Sequence, residues 1–92
     1  MAELLQRVAI VTGGGRGIGR ASAVALAADG WSVVIAGRSQ DALDATLPFL
    51  GPKGHSCRAD VSDQESVEAL FADTTARFGR LDLLFNLSLI HI

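Results

Sequence analysis

The chain has 92 residues, 49% of them hydrophobic and 20% charged, with a formal net charge of −2. This suits one soluble globular domain, excludes a disordered tail, and lacks the cationic surplus that non-specific nucleic-acid binding needs. One cysteine, Cys57, excludes an internal disulfide, no basic-then-apolar leader opens the chain and no apolar run approaches the ~20 residues of a membrane span, so the expectation is a cytoplasmic protein without a membrane partner.

In chain order, Arg7 to Thr12 is a continuous β-branched run that ends in glycines, the pattern of a strand buried on both faces. Arg16 to Asp29 places Ile18, Ala21, Ser22, Ala25 and Leu26 at helical spacing, with Gly30 as C-cap. Trp31 to Ala36 predicts a second strand. Ser39 is an N-cap for a helix from Gln40 to about Leu47, with Asp41 favouring its dipole. Pro48, Gly51, Pro52 and Gly54 predict a loop, and His55 to Ala59 a third strand. Ser62-Asp63-Gln64-Glu65 reads as a capping box opening a helix with Val67, Leu70, Phe71, Thr74 and Phe78 on one face and Gly79 at its end. Leu81 to Phe85 is a fourth apolar run. Alternation of this kind predicts an α/β, Rossmann-like fold: a partial doubly wound parallel sheet, strand order 3-2-1-4, with helices on both faces.

Half of the ten glycines lie in Thr12-Gly13-Gly14-Gly15-Arg16-Gly17-Ile18-Gly19. A strand turning sharply into a helix needs residues without a Cβ, and a pyrophosphate can approach only bare backbone. The helix start then offers free N–H groups to the anion. Gly13, Gly15, Arg16, Gly17 and Ile18 therefore form the candidate cradle, and Gly19 lets the helix pack closely on the sheet. A bare turn is the alternative, but strand, loop and helix stand in the order the motif requires. No Gly-Lys-Ser/Thr follows, which argues against a nucleoside triphosphatase.

Thr12-Gly13-x-x-x-Gly17-Ile18-Gly19 resembles the signature of the short-chain dehydrogenase/reductase family. Asp60-Val61 is similar to its acidic-apolar pair beside the adenine, and Asp82 with Asn86 to its fourth strand and following Asn. The likeness runs from about Arg7 to Asn86. It implies a nicotinamide dinucleotide as ligand, with Asp60, Val61 and Asn86 among its contacts. For the full-length parent it implies carbonyl reduction or alcohol oxidation and a homo-oligomer.

The second strand ends where the adenosine ribose would lie. Gly37 and Arg38 stand there instead of the carboxylate that favours NAD. A guanidinium grips a 2′-phosphate through paired hydrogen bonds, and Arg16 supplies a second cation, so the charges favour NADP over NAD. The alternative for both arginines is a solvated surface role, and for Asp60 support of the following helix. Cys57 reads as a small buried strand residue. His55 and His91 have no partner at ligand spacing, so no metal is expected.

The likeness stops at Leu87. We therefore read residues 1–86 as a truncated NAD(P)-binding domain and 87–92 as a departing tail. The family's catalysis resembles a Ser/Tyr/Lys arrangement. The chain has no Tyr, and its single Lys, Lys53, sits in a Pro-Lys-Gly loop. The 92 residues are thus expected to be inactive alone, with no catalytic residue assigned. A non-catalytic nucleotide-binding or subunit-interaction module is the alternative. An apolar fourth strand left at an edge predicts marginal stability and self-association.

Overall fold

A computed structural model of the chain describes residues 7–13 and 17–86. Gly14, Gly15, Arg16 and the tail after Asn86 lie outside the described residues. The elements run β1 (Val8–Thr12), α1 (Gly17–Ala28), β2 (Ser32–Gly37), α2 (Gln40–Thr46), a 3₁₀ stretch (Leu47–Lys53), β3 (Gly54–Arg58), α3 (Gln64–Phe78) and β4 (Leu83–Asn86). The strands form one parallel sheet in the order β3-β2-β1-β4.

The sheet is sandwiched because its central strands alternate between two apolar layers. Val11, Val33 and Ile35 pack with Ala23, Leu43 and Leu50, on the side of α1 and α2. Ile10, Val34, Ala36 and Ala59 pack with Leu70 of α3 on the other. Val8 to Val11 and Val33 to Ala36 are at most 1% exposed. Burying a side chain such as Ile10 or Leu70 contributes about 1.5–3 kcal/mol, so these two layers carry the fold. At the outer strand β4, Leu83 and Leu84 are exposed.

Chain ends are closed by local chemistry. The Ser39 hydroxyl accepts the Ala42 N–H at 3.2 Å, as expected of an N-cap. Gly79 takes the left-handed conformation (φ 80°) that ends α3, and its N–H donates to the Thr75 carbonyl.

Three expectations need correction. The buried face of α1 is Gly19 and Ala23, with Val24, Leu26 and Ala27 beside it; Ile18, Ala21 and Ala25 are exposed. A mostly apolar helix hides its own stripe, because small residues lie on every face. The loop after α2 holds 3₁₀ turns, broken at Gly51 (φ 74°, ψ −165°). The cap of α3 is Asp63, whose carboxylate accepts from Glu65 N–H at 3.3 Å. Ser62 is turned away toward Asp60, so the Ser62–Glu65 capping box does not form.

Candidate functional site

Parallel strands present all their C-terminal ends on one side, and the loops that leave them surround a crevice there. In this sheet that end carries Thr12, Gly37, Arg58 and Asn86, since Thr12 is in register with Ala36 and Asn86, and Gly37 with Arg58. Gly13 turns the chain out of β1 at φ 73°, and its N–H donates to the Ala36 carbonyl at 2.8 Å. Gly17 opens α1 at φ 53°. A Cβ built on Gly17 would meet nothing within 4 Å. The backbone at Gly17 therefore faces open space at the start of α1, where the positive end of the helix dipole attracts an anion. Buried Gly19 sits one turn deeper, and Ile18 is 71% exposed beside it.

A cleft of about 450 Å³ joins Gly13, Gly37, Arg38, Ala59, Asp60, Val61 and Ser62. The fold thus brings Gly13, Arg38, Asp60 and Val61 together from three loops. A second cleft of about 410 Å³ shares Arg38, Ala59 and Asp60 with the first and is also lined by Arg58 and Ser66. Gly15 and Arg16 lie outside the described residues, as does the side chain of Asn86, whose backbone ends β4 beside Thr12.

Asp60 is held from several directions. Its Oδ1 accepts the Ser62 hydroxyl at 2.6 Å and the Ser62 N–H at 3.0 Å. Its own N–H donates to the Ser66 hydroxyl at 2.9 Å. The Ser62 hydroxyl, then the Ser62 amide, hold the carboxyl below the ordinary range; the charge of Arg38 adds to this and desolvation opposes it. The carboxylate is thus ionised and aimed by a turn that Ser62 and Ser66 brace. The sequence pattern marks Ser62 only as a helix cap and gives no site role to Ser66 or Arg58. The Arg58 Nε donates to the Arg38 carbonyl at 3.1 Å. The signal for Arg58 was strand register, which periodicity alone does not supply.

Other polar groups lie elsewhere. His55 Nε2 is 3.4 Å from the Asp73 carboxylate, a pairing hidden by their distance in sequence. Cys57 is half-buried rather than fully buried, and burial, then the Asp73 charge, push its thiol pKa up. Among the described residues no three His, Cys, Asp or Glu side chains gather as a metal site, and no helix is long and apolar enough to cross a membrane.

The family model described as short chain dehydrogenase matches residues 7–88. A 2,5-dichloro-2,5-cyclohexadiene-1,4-diol dehydrogenase from Sphingobium indicum is 43% identical over 86 residues, covering 94% of this chain and 34% of that protein. An actinorhodin polyketide ketoreductase solved with NADPH superposes with a TM-score of 0.85 at 34% identity, over 89% of this chain and 33% of that one. A short chain dehydrogenase/reductase from Burkholderia phymatum, in complex with NAD, superposes with a TM-score of 0.83 at 36% identity, over 86% of this chain and 29% of that one. The chain spans about a third of the length of the relatives it matches.

Proposed function

The chain belongs to the short chain dehydrogenase family, and from that premise we propose that it is the NADP(H)-binding portion of an oxidoreductase that interconverts a carbonyl and an alcohol. The observation that carries the choice of cofactor is the cleft in which exposed Arg38 follows Gly37 with no acid at that strand end. A carboxylate at that point would accept from a ribose 2′-hydroxyl and repel a 2′-phosphate; a guanidinium does the reverse. Solved members with NADPH and with NAD share this fold, so the fold accommodates both and the side chains at the strand end decide.

In this reading Gly13, Gly15 and Gly17 admit the pyrophosphate to the start of α1. Arg38 and Arg16 grip the 2′-phosphate. Asp60 accepts from the adenine amino group, the Val61 N–H lies beside it, and Asn86 marks the ribose or nicotinamide side. When bound, the nicotinamide supplies or takes up a hydride. The Tyr proton donor that the family resemblance implies has no counterpart among these 92 residues, which include no Tyr. The chain alone is therefore proposed to bind cofactor without turnover.

Calorimetric titration of the chain with NADPH and NADH tests the reading. NADPH is expected to bind at least about tenfold tighter, the value of one charge-assisted hydrogen bond of about 1.5 kcal/mol. Equal affinities, or tighter NADH, would overturn it. Reduction of a carbonyl by NADPH with the 92-residue chain alone would overturn the proposed lack of turnover.

A further inference from the structure

We infer that Arg58 is a specificity-determining residue that shares the ribose 2′-phosphate with Arg38; this rests on the NADP reading above. Three observations carry it. First, β2 and β3 are parallel and in register at Gly37 and Arg58, so the strand end that delivers Arg38 lies beside Arg58. Gly37 has no side chain to separate them. Second, the Arg58 Nε donates to the backbone carbonyl of Arg38 at 3.1 Å. One edge of the guanidinium is thereby fixed. Among the described residues its terminal nitrogens have no hydrogen bond to the chain, which leaves their donors for a ligand. Third, both arginines are exposed and line the same cleft of about 410 Å³.

Charge identifies the ligand class. Two guanidinium groups share that cleft with one carboxylate, Asp60, whose Oδ1 is already engaged by Ser62. The balance is one positive charge, placed where a ribose substituent would project. Like charges are brought together at a cost in an empty cleft and at a gain around a dianion. A phosphate monoester fits this arrangement, since planar guanidinium forks match its oxygens. A neutral 2′-hydroxyl offers no such return. The Arg58–Arg38 hydrogen bond also couples the two, because it fixes where the backbone of Arg38 begins.

The test uses the full chain and its Arg58→Gln and Arg58→Lys variants, titrated with NADPH and with NADH. Glutamine keeps a neutral donor near the Arg38 carbonyl and removes the charge. We expect Arg58→Gln to weaken NADPH about tenfold, as for one charge-assisted contact, and to leave NADH within about twofold. Arg58→Lys is expected to keep part of the preference. A parallel loss for both cofactors would mean that Arg58 only braces the loop and would overturn the inference. An unchanged NADPH-to-NADH ratio in Arg58→Gln, with the unmodified chain preferring NADPH, would overturn it while sparing the NADP reading. An unmodified chain without that preference would sink both. Circular dichroism of each variant shows that the loss is not one of folding.

Discussion

Asp82 closes a ring with Val8: the Val8 N–H donates to the Asp82 carboxylate at 2.9 Å, and the Asp82 N–H donates to the Val8 carbonyl at 2.9 Å. The start of β1 is buried, so its N–H needs this partner. Arg80 then clamps the same carboxylate through Nε at 2.9 Å and a terminal nitrogen at 2.7 Å. A residue at the entrance to β4 thereby sets where the first strand begins.

This ring makes stability depend on pH. The Arg80 hydrogen bonds, then the Val8 N–H, hold the Asp82 carboxyl below its ordinary range. A depressed carboxyl contributes stability above its unfolded pKa, about 3.9, and loses it as pH falls through the lower folded value. Asp82→Ala should lower the Tm at neutral pH, and the gap from the unmodified chain should shrink as pH falls below the ordinary carboxylate range. Thermal melts across that range check it; a gap that stays constant contradicts the assignment.

Gly54 begins β3 with an ordinary extended backbone, φ −86° and ψ 146°. A Cβ there would collide with Leu50 Cβ and stand 3.1 Å from its Cδ1. Gly54→Ala should therefore cost about 1–3 kcal/mol by overpacking, not by backbone strain. Leu50→Ala should fail to rescue it, because the nearest atom is the Cβ that alanine retains. Chemical denaturation of the single and double variants decides; rescue by Leu50→Ala would refute the contact.

Gly17 separates strain from blockage. Nothing lies within 4 Å of a Cβ built on it, but its φ is 53°. Gly17→Ala should cost only about 1–2 kcal/mol of stability. On the proposed reading its Cβ would stand where the pyrophosphate enters, so NADPH affinity should fall by more than about tenfold. Melting and titration of one preparation give both numbers. Unchanged affinity would remove Gly17 from the cradle.

Arg38 lies against solvent at the end of β2. Arg38→Ala should weaken NADPH by about 10- to 100-fold, from a charge-assisted bond of roughly 1.5–3 kcal/mol, and affect NADH little. Titration with both cofactors checks this, and an unchanged NADPH dissociation constant would count against the role of Arg38.

Much of the architecture was legible from residues 7 to 86 alone. Alternating apolar runs and helical stretches specify parallel βαβ units, and the Rossmann pattern that the glycine loop suggests supplies the order β3-β2-β1-β4 found in the sheet. Gly13 and Gly17 were legible because glycine adopts their backbone φ of 73° and 53° without steric cost. Arg38 was legible because it directly follows a strand end. These are local properties: period, backbone freedom, and position next to a boundary.

Tertiary structure decided what meets what. Ser62 was assigned to the cap of α3 on local pattern, yet the turn at Asp60 captures its hydroxyl at 2.6 Å and leaves Asp63 to cap the helix. His55 meets Asp73, and Thr46 accepts from Arg20 Nε at 2.8 Å, across distances in sequence that no periodicity reports. Arg58 joined the site only because packing sets β3 in register with β2 at Gly37. A parallel register depends on how the crossover helix packs against the sheet, so it is a property of the assembled layers. The local sequence determined which chemical groups stand at each strand end; the packing of α2 and α3 decided which of those groups face one another across the cleft.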